Sequence, residues 1–126
     1  MIADKIEGSE AFVSVGSNLG DKKGNCLRGI ERLAASGDTQ VVACSRFYKT
    51  EPVDYLDQDW FVNAVVKVKT CLGPHGLLET LLDVEMSLGR ERQSAIRFGP
   101  RIIDLDLIFY GPRRIESDSL ALPHPR

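Results

Sequence analysis

Two hydrophobic periodicities alternate along the 126-residue chain, and their order restricts the folds that it can adopt. Apolar residues at every second position predict strands, and the clearest alternation runs from Phe61 to Thr70. Apolar residues three and four apart predict two helices, at about 19–35 and from Gly73-Pro74 to about Leu88. Further strands are predicted at 11–15, at 39–50 as one long bent strand, and at 102–110. Gly111-Pro112 is expected to turn the last strand toward a short partner around Ile115.

The resulting order is β-α-β-β-α-β with a trailing hairpin, which is typical of a split βαβ unit. It predicts an α+β, ferredoxin-like domain, in which an antiparallel sheet and its helices form three αβα layers. The length suits a single domain over residues 1–126, of which residues 1–10 form a polar N-terminal extension. Because this fold supports many functions, the function has to be argued from individual side chains.

Composition and charge exclude several functional classes. A net charge of −2 argues against a general nucleic-acid binder and against a protein held on an anionic membrane. No apolar run approaches the roughly 20 residues of a membrane-spanning helix, and the polar start does not resemble a signal peptide. Cys26, Cys44 and Cys71 are odd in number and far apart, so reduced thiols are expected rather than a disulfide framework or a zinc site. These features predict a cytoplasmic protein.

Two carboxylates on the last long strand are the first candidates for chemistry. Residues two apart project from the same face of a strand, so the side chains of Asp104 and Asp106 are expected to lie together. Neighbouring carboxylates repel each other, and one or two divalent cations are the simplest compensation. Oxygen ligands with no His or Cys nearby favour Mg²⁺ over zinc. The alternative is a structural ion cluster in which Arg101 and its neighbours neutralise the pair.

A basic run precedes these aspartates. It contains one glutamate and four arginines, namely Arg90, Arg92, Arg97 and Arg101. Such runs are most often solvated surface, but Mg²⁺ flanked by arginines also suits a polyphosphate, because metal ions and guanidinium groups both bind phosphate oxygens. The chain has no GxxxxGK[ST] motif, so a P-loop is not expected.

Glu85 lies near the middle of the apolar stripe of the second predicted helix. A buried carboxylate at this position needs a cation or a hydrogen-bond donor. The alternative is that the edge of the stripe is solvated at this turn, and the sequence leaves both possibilities open.

The run from Arg97 to Ile108 resembles, position by position, the signature of the 6-hydroxymethyl-7,8-dihydropterin pyrophosphokinase family. Four further segments resemble family segments in the same order, and they are Val15–Asp21, Ser45–Pro52, Phe61–Ala64 and Leu122–Arg126. The resemblance covers the chain from about Ala11 onward. It implies an enzyme of folate synthesis that transfers a pyrophosphoryl group from ATP to the dihydropterin alcohol with the help of Mg²⁺.

The resemblance also implies roles for individual residues. Asp104 and Asp106 would hold two magnesium ions. The ATP contacts would come from Arg90, Arg92, Arg97, Arg101 and His124, of which Arg90, Arg92 and Arg101 would also steady charge during the transfer. The pterin pocket would be lined by Thr50, Phe61 and Asn63, with the ring of Phe61 stacked on the heterocycle and the amide of Asn63 matching its edge.

Two departures from the family pattern stand out. Phe98 occupies a position where the family often has tryptophan, and the sequence stops at Arg126 where family members continue into a segment with a further arginine and a second aromatic residue. The domain is therefore expected to lack its C-terminal segment. The expected partners are small-molecule substrates, without nucleic acid or membrane, and the expected state is a monomer.

Two other functions compete with the enzyme. A non-catalytic ferredoxin-like module could bind a pterin or a nucleotide, although such a module would not need both carboxylates. An RNA-binding module of similar topology would need exposed aromatic residues on its central strands, and the carboxylates at Asp104 and Asp106 would repel its ligand.

Overall fold

A computed structural model describes residues 8–51, 59–89, 102–117 and 120–124. Within these stretches the elements follow in the order β1 (Ser9–Ser17), α1 (Lys22–Ala34), β2 (Thr39–Cys44), β3 (Tyr48–Thr50), β4 (Phe61–Thr70), α2 (Pro74–Ser87), β5 (Asp104–Tyr110), β6 (Ile115–Glu116) and β7 (Ala121–Leu122). The predicted order of strands and helices is confirmed. None of the helices in these stretches is long and apolar enough to cross a membrane.

The main sheet is antiparallel, with its strands in the order β2-β4-β1-β5. Its two central strands, β1 and β4, pair along the whole length of β1, from Ser9 opposite Thr70 to Ser17 opposite Val62. Each helix connects two strands that have another strand between them, which is the arrangement of a split βαβ unit. The predicted ferredoxin-like fold class is confirmed.

The bent strand predicted at 39–50 forms as two strands, β2 and β3, which both pair with β4. Ser45 bridges the break between them. Its backbone N–H donates to the carbonyl of Val65 at 2.9 Å, and its hydroxyl accepts from the backbone N–H of Val65 at 2.9 Å. A side chain thus continues the ladder where the backbone bends away.

The core lies between the helices and one face of the sheet. It contains alternate residues of the strands and the inward residues of both helices, including Ala11, Val13, Val15, Val66, Val68, Leu105, Leu107, Cys26, Leu33, Leu77, Leu81 and Val84. Residues of both helices belong to this one core and the helices contact each other, so α1 and α2 lie on the same face of the sheet. The described stretches therefore form two layers, and the third, helical layer that was predicted does not occur among them.

The turn between β1 and α1 is held by side-chain hydrogen bonds. Asn25 donates through Nδ2 to the carbonyl of Leu19 at 2.8 Å and to Ser17 Oγ at 3.3 Å. Asp21 caps the helix by accepting from the backbone N–H of Gly24 at 3.2 Å. The helix begins at Lys22, three residues later than the hydrophobic pattern predicted, because these bonds hold the preceding residues in a turn.

The predicted pairing of the last long strand with a segment around Ile115 is wrong. Ile115 pairs with Leu122, so that β6 and β7 form a separate two-stranded sheet. The backbone N–H of Arg113 donates to the carbonyl of Tyr110 at 3.0 Å, which closes a turn directly after β5. The chain then leaves the main sheet before it reaches Ile115.

Candidate functional site

The sheet face opposite the helices carries the candidate side chains. Strand alternation points Ala11, Val13 and Val15 into the core, and it sends the intervening residues Ser14 and Gly16 to the opposite face. By the same alternation this open face receives Phe61 and Asn63 from β4 and Asp104 and Asp106 from β5. The predicted pterin-binding and metal-binding residues therefore share one surface.

The strand registers place these two groups next to each other. Asn63 lies opposite Gly16, and Gly16 lies opposite Asp104 on its other side. Adjacent strands are about 4.8 Å apart, so the backbones at Asn63 and Asp104 are about 10 Å apart. In the neighbouring row, Ser14 lies opposite Asp106. Gly16, which has no side chain, is thus the residue that separates the predicted pterin-binding group from the predicted metal-binding group.

Thr50, Phe61 and Asn63 form a compact group. Thr50 lies opposite Phe61 in the ladder, and Asn63 donates through Nδ2 to Thr50 Oγ1 at 2.6 Å. A Cβ atom at Gly16 would lie 2.6 Å from Asn63 Oδ1 and 3.5 Å from the ring of Phe61. The glycine leaves the space that the Asn63 amide occupies, so the structure brings all three predicted residues together.

A cleft of about 390 Å³ opens beside Phe61, lined by Lys22, Lys49, Asp59, Trp60, Phe61 and Val62. Lys22 and Asp59 form an ion pair of 3.4 Å within it. Neither Asn63 nor the two aspartates of β5 lines this cleft, so Phe61 is the predicted site residue that it shares with the open face.

Asn18 ties the β1–α1 turn to the edge of this cleft. Its side chain is buried, and it donates through Nδ2 to the carbonyl of Asp59 at 3.1 Å. Sequence reasoning missed this residue because its partner lies 41 positions away in the chain. Its place in the segment Val15–Asp21, which resembles the family, was the available signal.

Asp104 and Asp106 are partly exposed on the open face, and His124 lies beside them. His124 Nε2 is 3.5 Å from Asp106 Oδ1, and the backbone N–H of His124 donates to the carbonyl of Ile108 at 3.0 Å. The predicted site residue His124 is thus next to the aspartates.

The donor set of this pair fits Mg²⁺. Within the described ranges no group of three or more His, Cys, Asp or Glu side chains could hold a metal ion. A site for zinc or calcium usually takes more protein ligands, whereas Mg²⁺ is commonly held by one or two carboxylates together with water and substrate phosphates.

Glu85 is buried in the helical layer, with an exposed fraction of 2%. Its Oε2 accepts a hydrogen bond of 2.6 Å from the backbone N–H of Leu105, which lies between the two aspartates. Of the two possibilities that the sequence left open, burial with a hydrogen-bond donor is confirmed.

The predicted arginines Arg90, Arg92, Arg97 and Arg101 lie outside the described residues, as does Phe98. Their contacts with ATP therefore stay predictions.

Comparisons with known proteins are consistent with this geometry. The model of the family 7,8-dihydro-6-hydroxymethylpterin-pyrophosphokinase (HPPK) matches residues 12–126. A 2-amino-4-hydroxy-6-hydroxymethyldihydropteridine pyrophosphokinase from Methylorubrum extorquens is 45% identical over 116 residues, which are 92% of this chain and 72% of the relative. The protein of the same name from Bacillus subtilis is 39% identical over 116 residues, which are 92% of this chain and 68% of the relative.

Longer proteins contain a similar region. A mitochondrial folate synthesis bifunctional protein from Arabidopsis thaliana is 44% identical over 117 residues, or 93% of this chain and 21% of that protein. A crystal structure of Plasmodium falciparum HPPK-DHPS with pterin and p-hydroxybenzoate superposes with a TM-score of 0.67 and 14% identity. This match covers 98% of the chain and 38% of the Plasmodium chain, and at this identity it supports the fold alone.

Proposed function

Because the chain belongs to the 7,8-dihydro-6-hydroxymethylpterin-pyrophosphokinase family, we propose that it transfers a pyrophosphoryl group from ATP to 6-hydroxymethyl-7,8-dihydropterin and releases AMP. As a member of this family it is a pyrophosphokinase of folate biosynthesis. The observation that carries the proposal is the row formed by Asn63, Gly16 and Asp104 across three strands. This row places the group of Thr50, Phe61 and Asn63, which is suited to binding a flat heterocycle, beside the carboxylates of Asp104 and Asp106.

The dihydropterin is proposed to bind at Thr50, Phe61 and Asn63. The ring of Phe61 offers a stacking surface for the heterocycle. Because the Asn63 Nδ2 group is engaged with Thr50, its Oδ1 atom over Gly16 is the acceptor offered to an N–H group at the pterin edge. The hydrogen bond to Thr50 thus sets the orientation of the Asn63 amide, which is proposed to bind the pterin edge.

Asp104 and Asp106 are proposed to hold two Mg²⁺ ions together with the phosphates of ATP. When bound, these ions neutralise negative charge on the phosphate oxygens during the transfer. His124 lies beside Asp106 and is placed to donate a hydrogen bond to a phosphate oxygen. The remaining ATP contacts are proposed for Arg90, Arg92, Arg97 and Arg101, with Arg90, Arg92 and Arg101 steadying the charge that develops.

One product assay tests the proposal. The protein is incubated with ATP, Mg²⁺ and the dihydropterin alcohol, and the nucleotide products are separated by chromatography. We expect AMP, formed only when the pterin is present. ADP as the product would indicate transfer of a single phosphoryl group, and pterin binding without turnover would favour the non-catalytic binding module.

Several properties of the protein stay predictions. They are the single-domain organisation, the monomeric state and the cytoplasmic location. The first two are tested by analytical ultracentrifugation and mass spectrometry of the expressed protein.

A further inference from the structure

We propose that Glu85 is a positioning residue for the magnesium site, because its buried carboxylate fixes the backbone between Asp104 and Asp106. This inference rests on the proposed function, since it assumes that the two aspartates hold the metal. Glu85 itself lies in the helical layer, on the other side of the strand from the face that carries the aspartates.

The first step of the argument is the position of the Leu105 N–H group. In the described sheet β5 pairs with β1 and lies at the edge of the strand order. Alternate backbone groups of an edge strand face away from its neighbour and need a partner elsewhere. Leu105 is only 4% exposed, so solvent is largely excluded, and the carboxylate of Glu85 receives its N–H at 2.6 Å.

The second step concerns what this bond holds in place. The Leu105 N–H belongs to the peptide that joins Asp104 to Leu105, and the next peptide leads directly to Asp106. A rotation of this segment would change the directions of both carboxylates. The bond is short at 2.6 Å and its acceptor is held in the buried helical layer, so Glu85 restrains this rotation.

The third step is the packing of the same segment against α1. A Cβ atom at Gly29 would lie 3.0 Å from Ile103 Cδ1 and 3.9 Å from Leu105 Cδ2. The helix therefore approaches these two side chains closely, and a side chain at Gly29 would require Ile103 to shift. Packing on α1 fixes the side chains of the segment, whereas Glu85 on α2 fixes its backbone.

Three variants separate positioning from simple stability. E85M removes the acceptor at similar side-chain length, E85Q keeps a carbonyl oxygen that can accept the same bond, and E79M makes the same change as E85M at an exposed glutamate of α2. The affinity for a non-hydrolysable ATP analogue is measured by calorimetry with and without Mg²⁺. Hydrogen exchange of the Leu105 amide is followed by NMR, and pterin affinity is measured separately.

E85M is expected to lower the Mg²⁺-dependent nucleotide affinity by about 10–100-fold, which is the usual effect of removing a group that orients a metal ligand. It is also expected to speed the exchange of the Leu105 amide and to leave pterin affinity unchanged. E85Q is expected to retain most of the affinity and protection, and E79M to change neither. Faster exchange in E85M with unchanged Mg²⁺-dependent affinity would overturn the proposal.

If E85M does not fold, E85D decides the question, because its shorter side chain withdraws the acceptor from the Leu105 N–H and should lower both the Mg²⁺-dependent affinity and the protection of the Leu105 amide. The proposal requires the Mg²⁺-dependent affinity and the protection of the Leu105 amide to change together, and a change in only one of them contradicts it. D104A in the same titration separates this inference from the proposed function. Unchanged affinity in D104A would refute the magnesium site itself, whereas a loss in D104A with none in E85M would refute only the role of Glu85.

Discussion

The two faces of the sheet differ in what their residues do. On the helical face, Leu105 and Leu107 of β5 are at most 4% exposed and pack in the core. On the open face, Asp104 and Asp106 of the same strand are partly exposed. One strand thus contributes to stability and to chemistry through alternate residues. Substitutions in β5 should therefore separate into two classes according to the face on which they fall.

The largest expected effect lies on the open face. D104A and D106A should each lower kcat by about 10³-fold or more, because each removes a carboxylate that stabilises the metal and the charged phosphates. Pterin affinity should change little, since the ring is held at Phe61 and Asn63. Steady-state AMP formation and fluorescence titration with the pterin measure the two quantities. Equal losses in rate and in pterin affinity would show that the metal site is misplaced.

The corresponding change on the helical face is L107A. Leu107 is 1% exposed, and removing its side chain leaves a cavity in the core, so the free energy of unfolding should fall by about 2–5 kcal/mol. Urea denaturation measures this loss, and D106A on the opposite face is the matched control, with an expected cost below about 1 kcal/mol. Similar costs for the two variants would contradict the assignment of the faces.

The contrast between buried and exposed side chains also applies to the cysteines, because Cys26 of α1 is buried whereas Cys44 and Cys71 are exposed. Burial, with a smaller contribution from the nearby Cys44, raises the pKa of the Cys26 thiol from 9.0 to about 11. At pH 8 this raised pKa makes the thiolate fraction of Cys26 about 100-fold smaller. We expect iodoacetamide to alkylate Cys26 at least about 100-fold more slowly than Cys71. Peptide mapping by mass spectrometry measures the rates, and equal rates would contradict the burial.

The same shift predicts a dependence of stability on pH. Above about pH 9 the unfolded chain loses the Cys26 proton while the folded protein keeps it until about pH 11. The unfolded state then binds fewer protons, so the free energy of unfolding should fall as the pH rises through this window. C26A should show a smaller fall than the parent protein in denaturation between pH 8 and pH 11.

The sequence predicts the elements well because their signals are local. The alternation from Phe61 to Thr70 and the helical spacing of Leu77 and Leu81 reflect which side faces the core, and this orientation sets the element type. The spacing of Asp104 and Asp106 likewise predicts that they share a face. The pairing of Ile115 was predicted wrongly because a two-residue strand has too few positions to show a period.

The layout of the site depends on strand register, which is set by contacts distant in sequence. Nothing in the local pattern places Asn63 beside Gly16, or Gly16 beside Asp104, although the family resemblance names the two polar residues as partners in one site. The partner of Glu85 was unpredictable for the same reason. The pattern shows that a buried carboxylate needs a donor, but Leu105 lies 20 residues away.

The smallest expected effect tests the boundary between the two groups on the open face. In G16A, the added methyl would lie 2.6 Å from Asn63 Oδ1, and the end of that side chain can move while the backbone stays in place. The bond from Asn63 to Thr50 should be lost, and pterin affinity should fall by about 10-fold, as expected for one hydrogen bond. Fluorescence titration with the pterin measures this loss. The change in kcat at saturating pterin should be small, because Asp104 and Asp106 are untouched.

G73A is the matched control, since a Cβ there meets nothing within 4 Å, and it should leave pterin affinity unchanged. If Asn63 moves in G16A and pterin affinity stays the same, Asn63 does not bind the pterin, and the open face loses one of its two proposed sites.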